Sequence, residues 1–136
     1  MATRIPTAAQ NAACDAIVDL IDAGATAGEV EIRTGAQPAS ANDAASGTLL
    51  VTIPLNDPAF GAAAAGVATA DIDPALTGVA VAAGIAGWFR VLDDVGATVM
   101  DGACAEGSGE MDLDNTDIAV DQNVTITSWT STMPAG

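Results

Sequence analysis

The 136-residue chain sets 18 acidic side chains against three basic ones, Arg4, Arg33 and Arg90, for a net charge of −15 at pH 7, and has no His, Lys or Tyr. So negative a body repels phosphate, which argues against nucleic acid and anionic membranes as partners; without His and Lys, Ser/His/Asp, Cys/His and Ser/Lys nucleophile chemistry is excluded. Hydrophobic residues make up 50% of the chain but aromatics only 3%, so a single small domain with an Ala, Val, Ile and Leu core is expected, with a thin stability margin that assembly would widen.

The acidity has three readings: a solubilising coat on an Ala-rich surface, a charge-guided contact with a basic partner, or adaptation to salt. Residues 1–6 form a short arm in which Arg4 and Ile5 have no evident partner, and 7–136 form one domain. Residues 1–10 lack the apolar segment of an export signal and no stretch is long enough to span a membrane, so a soluble chain made in the cytoplasm is expected.

Thr7 is placed as a helix N-cap with Gln10 completing a capping box. Ala13, Cys14, Ile17, Leu20 and Ile21 then recur at helical spacing up to Gly24. This predicts an amphipathic helix over 7–23, whose opposite face carries Asn11, Asp15, Asp19 and Asp22. In 29–33, Val30 and Ile32 alternate with charged residues as a half-buried strand, and 34–46 reads as a polar surface loop. The next strand, 48–55, places Leu49, Val51, Ile53 and Leu55 on one face and Pro54 at an edge. The small residues of 59–72 read as strand and turn because Gly61, Gly66 and Thr69 oppose a helix. A long strand over 78–92, kinked or bulged at Gly84 and Gly87, feeds a central hairpin.

That hairpin, 87–101, organises the chain. Asp94-Val95-Gly96 suits a three-residue loop with Gly96 left-handed and Asp93 facing Ala97. Counting outward pairs Val91 with Val99 on a face shared by Phe89 and Ala97, and leaves Arg90, Leu92, Thr98 and Met100 on the other. Both faces are apolar, so the hairpin is either sandwiched within the fold or covered by another chain. Arg90, Leu92 and Met100, with Arg4 and Ile5 of the arm, are the candidate partner-binding residues.

The segment 102–110 reads as a mobile Gly-rich loop. Strands follow at 111–114, 118–120 and 124–133, then a stub over 134–136. Seven to nine short strands behind one helix predict a mainly β fold, an antiparallel β-sandwich or jelly roll with one N-terminal amphipathic α-helix.

Chemistry is sparse. Cys14 fits the apolar face of the helix and Cys104 an accessible loop; they are free thiols or a bridge, and two thiols without His make no metal site. Asp112, Asp114 and Asp117 resemble part of a calcium loop but lack its Gly and distal Glu. No carboxylate pair stands out for acid–base work, and Phe60, Trp88, Phe89 and Trp129 are needed by the core. No enzymatic activity, cofactor or metal is expected.

Five stretches then carry a resemblance: Asn11-Ala12-Ala13-Cys14-Asp15-Ala16-Ile17-Val18-Asp19, Glu31-Ile32-Arg33-Thr34-Gly35-Ala36-Gln37-Pro38-Ala39, Asn56-Asp57-Pro58-Ala59-Phe60-Gly61, Ala86-Gly87-Trp88-Phe89-Arg90 and Thr127-Ser128-Trp129. Together they resemble a family of small proteins encoded by tailed bacteriophages and prophages, described mostly as virion structural proteins. The resemblance implies a non-enzymatic part of the phage particle, located in the virion and contacting the major capsid protein or neighbouring structural subunits. A homo-oligomeric capsid decoration protein on the outer head is the first expectation. A neck, collar or tail/fibre-base component is the second, and a carbohydrate-binding or host-adhesion module the third.

Overall fold

The computed structural model describes residues 3–107 and 109–132. Met1 and Ala2 of the arm, Ser108, Met133 and the 134–136 stub lie outside the described residues. The chain opens with helix α1, Thr7–Asp19, continued by a 3-10 turn at Leu20–Asp22. Pro6, not Thr7, is the N-cap: the Ala9 and Gln10 amides both donate to Pro6 O at 3.0 Å. Proline has a preset φ and no N–H to lose, so the helix starts directly behind it and Thr7 becomes its first residue. Gln10 Nε2 donates instead to Ile5 O, at 3.3 Å, and the predicted capping box does not form. Cys14, Val18 and Ile21 are buried, whereas Leu20, expected on the same stripe, is exposed.

Among the described residues nine strands follow: β1 (Glu29–Thr34), β2 (Leu49–Pro54), β3 (Val67–Thr69), β4 (Leu76–Val79), β5 (Gly84–Leu92), β6 (Thr98–Ala105), β7 (Met111–Leu113), β8 (Asp117–Ile118) and β9 (Asn123–Thr132). The fold is mainly β with one N-terminal helix. Its strands run β2-β1-β5-β6-β7-β9-β3 in one curled sheet, with β4 also on β9 and β8 on β5. The curl brings β4 back towards β2. Val81 N donates to Leu50 O at 2.7 Å, and a Cβ at Gly78 would lie 2.7 Å from Thr52 O, so glycine is what lets the two backbones approach. Inside, the Trp129 ring meets Phe60 edge-on at 4.7 Å and Phe89 at 5.4 Å between centroids. Small aliphatic side chains from β1, β2, β4 and β9 surround this group.

The structure revises four expectations. The hairpin keeps its loop, with Asp93 N donating to Ala97 O and Gly96 at φ +86°. Beyond it, however, Leu92 faces Thr98 and Val91 faces Met100. Val99 is the extra residue of a bulge, so Met100 takes the Val91 face and packs against the core. A second bulge sets Arg33 opposite Leu49 and Ile32 opposite Val51. The skipped Leu50 is then buried and Leu49 only half so. The strand expected over 78–92 is two strands, because residues 80–83 leave β9 to cross towards β5. Gly87 is the bulged residue between Arg33–Trp88 and Thr34–Ala86 pairs.

The fourth revision concerns the Gly-rich loop, whose first part is strand. β6 runs through Cys104 and pairs in parallel with β7, Cys104 opposite Met111 and Ala105 opposite Asp112, so the sheet is mixed rather than purely antiparallel. Parallel neighbours ordinarily need a connection of about a dozen residues or more; here 106–110 suffice. Asp112 Oδ1 makes the short return possible by accepting the Gly107 and Gly109 amides, both at 3.0 Å.

A two-residue turn precedes β3. Ala64 and Val67 exchange both backbone hydrogen bonds at 2.9 Å, with Ala65 at φ +52° and Gly66 at φ +76°, as a type I′ turn requires. Alanine is an unfavourable occupant of the left-handed region. Ala65→Asn or Ala65→Gly is therefore expected to stabilise the fold by about 1 kcal/mol, read as a rise in urea midpoint, while Ala65→Val lowers it.

Candidate functional site

Few features of this chain are equipped for chemistry, so the candidate site is a surface, and what the polar side chains do decides which surface is free. Arg90 lies on β5 between Glu31 of β1 and Asp101 of β6. Its Nε and Nη2 donate to the two Asp101 carboxylate oxygens at 2.7 and 2.8 Å, and Nη1 donates to Asp43 O at 2.9 Å. Its guanidinium also stands 5.3 Å from the Trp88 ring centre. The Asp101 hydrogen bonds raise the Arg90 pKa above its already high ordinary value. With Arg90 only 5% exposed, this expected partner-binding residue is a tie between the sheet and the segment 35–48, which straps across that face. The outer face of the hairpin is thus covered at Arg90 by the chain itself.

The other candidates are scattered. Leu92 is half-buried opposite Glu29 and Thr98, and Met100 has moved to the core-facing side. Arg4 and Ile5 stay exposed in the arm. The arm leads into the start of α1, while the hairpin tip meets the connector beyond the end of that helix, through Asp94 Oδ2 and the Ala25 amide at 2.8 Å. About 20 Å of helix lies between them. The structure does not gather the five residues into one patch.

Cys14 and Cys104 are free thiols. Cys14 is buried and its Sγ donates to Ser131 O at 3.3 Å. Cys104, expected in an accessible loop, lies half-buried on β6, and burial pushes its pKa up to about 12, far from a reactive thiolate. No group of three or more metal-ligating acids or cysteines, and no pocket, is found among the described residues. Asp114 of the supposed calcium run accepts the Thr125 amide at 3.1 Å, and Asp112 accepts Ser128 Oγ besides its two glycine amides.

The residues that sequence reasoning missed are these acceptors. The polar face of α1 and the 3-10 turn behind it fasten the segment 59–66: Asn11 Oδ1 accepts the Gly66 amide at 2.8 Å, Asp15 Oδ1 the Ala63 amide at 2.7 Å, and Asp22 Oδ2 the Ala59 amide at 3.0 Å. The spacing of four residues sets Asn11 and Asp15 on one side of the helix, and Asp22 ends the 3-10 turn that continues it. Glu106 Oε1 accepts the Thr116 amide at 2.6 Å and its hydroxyl at 3.0 Å. A signal for this existed in the composition. Acids that outnumber cations so heavily cannot be neutralised by ion pairs, and short-strand loops have amides without ladder partners, so each supplies what the other lacks.

Two of these carboxylates titrate in opposite senses. Desolvation outweighs the Ala59 hydrogen bond and raises the Asp22 pKa above 3.8, whereas the Thr116 bonds lower that of Glu106. The Asp22 charge therefore costs stability above its folded pKa and nothing below 3.8. Glu106 contributes stability above its unfolded pKa that is lost as pH falls through its folded one. Asp22→Asn is expected to melt higher than the parent at pH 7 and to converge with it in acid. Glu106→Gln is expected to melt lower at pH 7, its deficit vanishing in acid. Melting curves from pH 7 to pH 3 check both signs.

Of the eight exposed large apolar side chains among the described residues, Ile5, Leu20, Ile72 and Val95 stand apart and the other four collect at one end of the curl. Val79 (55% exposed), Val81 (67%), Ile85 (59%) and Val120 (54%) stand where β4 ends and β5 and β9 begin. The exposed Asp117 and Asp121 flank them. No helix among the described residues is long and apolar enough to cross a membrane. The chain matches no family model, no curated protein and no solved structure, so its functional reading rests on the internally paired Arg33 and Arg90, the amide-bound carboxylates and one apolar end.

Proposed function

We propose that the chain is a non-enzymatic structural component of a tailed phage particle, and in the first place a decoration protein on the outer surface of the head. The observation that carries this reading is the disposition of charge. Arg33 is paired with Glu31 at 3.2 Å and Arg90 with Asp101 at 2.7 Å, so two of the three cations are already paired within the chain and the remaining surface charge is anionic. Such a surface is repelled by packaged DNA and suits the outside of a shell. The partners in this reading are the major capsid protein or neighbouring structural subunits, with many copies set side by side by the lattice beneath them.

The resemblance to virion structural proteins, the small-residue core that gains from docking and the engagement of carboxylates by backbone amides support the same reading. The adhesion alternative needs exposed aromatic platforms for sugars, and Phe60, Trp88, Phe89 and Trp129 are all buried. Quantitative mass spectrometry of purified particles is the test. A copy number in simple ratio to the major capsid protein is expected. A handful of copies per particle would instead favour the neck, collar or tail/fibre-base, and absence from particles together with a positive glycan array would overturn the proposal.

A further inference from the structure

No charged residue lies between Pro74 and Arg90, in a chain of net charge −15. Within that stretch the side chains alternate. Ala80 and Ala86 are buried and Ala82 packs on the core, while Val79, Val81, Ala83 and Ile85 are turned outward. The outward row is held in place from both sides. Ala80 N donates to Gln122 O and Asp121 N to Ala80 O, each at 2.9 Å, which sets the Val120 turn beside Val79 and Val81. Val81 N donates to Leu50 O, and Ile85 lies opposite Asp117 of β8. A fixed extended segment with outward valines and isoleucine is a costly surface to leave in water, and nothing in the domain requires it: the inward alanines already serve the core.

Charge decides what covers it. The flanking residues Asp117 and Asp121 are exposed, and Arg33 and Arg90 are turned to internal partners. A second copy docked on this face across a two-fold axis would bring its own Asp117 and Asp121 into the same contact, between two bodies of charge −15. Like-charge juxtaposition of this kind is how surfaces reject wrong partners. A surface with Lys or Arg around an apolar projection satisfies both the valines and the aspartates.

We infer that the end formed by Val79, Val81, Ile85 and Val120 is the docking face of this chain, and that its occupant is a basic surface of a different virion protein. The inference rests on the reading of the chain as a particle component and names the face that reading needs. Arg90 and Met100 are engaged internally, so the hairpin is replaced by the β4–β5 crossing as the contact element.

The test uses particles carrying a photoreactive benzoylphenylalanine at position 81 or, as control, at position 12, where Ala12 is exposed on α1. Position 81 is expected to crosslink to a different virion protein, in a peptide containing Lys or Arg, and position 12 is not. Val81→Asp is expected to lower incorporation at least tenfold while leaving the melting temperature of the free chain unchanged. Asp117→Asn with Asp121→Asn should flatten the salt dependence of retention on the particle. In sedimentation the free chain should remain monomeric. Crosslinks from 81 to a second copy, crosslinks from 12 instead of 81, or full incorporation of Val81→Asp would each overturn the inference while the chain remains a virion protein. Absence of the parent chain from particles would instead overturn the functional reading beneath it.

Discussion

Arg90→Met is expected to destabilise the folded chain by about 3–5 kcal/mol, the usual cost of stranding one member of a buried ion pair. The Arg90 and Asp101 side chains are only 6% and 4% exposed, so removing the guanidinium leaves a carboxylate with neither water nor counter-charge. The same substitution frees Asp43 O, which accepts from Nη1, and with it the tie that holds the segment 35–48 to β5. Arg90→Lys should rescue little, because an ammonium cannot reproduce the two parallel bonds to Asp101. Arg90→Met combined with Asp101→Leu should recover much of the loss, since it removes both charges. Urea unfolding of the parent, Arg90→Met, Asp101→Leu and the double variant gives the coupling directly. A single-variant loss below about 1 kcal/mol, the range of exposed pairs, would show that the pair is solvated and that Arg90 is free for another role.

Trp129→Ala is expected to cost a further order of the same size, about 3–5 kcal/mol. In a core otherwise built of Ala, Val, Ile and Leu, this ring is the piece that joins Phe60 and Phe89, and the cavity left by it cannot be filled by short neighbours. Against a typical total of about 5–15 kcal/mol, the variant should lose a large share of its stability and melt far below the parent. Trp129→Phe keeps one edge-to-face contact and should retain a cooperative transition at a lower midpoint. If Trp129→Ala melts within a few degrees of the parent, the aromatic group is not the centre of the core.

Which features were legible in the sequence follows from how local their causes are. The hairpin loop was readable because Asp93 and Gly96 carry their own turn geometry, and β1 because Val30 and Ile32 alternate. The helix start was misread by one residue because a backbone effect, the preset φ of Pro6, outranked the side-chain signal of Thr7. Bulges defeated the facing of Leu49, Val99 and Met100: one extra residue reverses every later side chain, and its position is set by neighbouring strands rather than by the strand itself. The strand content of 102–105 was hidden because its partner, β7, runs parallel through a return that only the Asp112 carboxylate makes short. Arg90 looked available because its partner Asp101 is close in space but lies across a hairpin whose register had slipped. The carboxylate contacts of α1 needed the position of 59–66, which periodicity does not supply.

The long last strand sets the order in which the chain can fold as it is made. β9 is the ladder partner of β3, β4 and β7 at once, and it carries Trp129 to its place between Phe60 and Phe89. Until residues 123–132 emerge from the ribosome, β2, β1, β5 and β6 can pair with one another, but β3 and β4 have no ladder and α1 has only half of its seat. The domain therefore cannot close before β9 is available, and a chain truncated before Asn123 is a substrate for proteolysis rather than a complete domain.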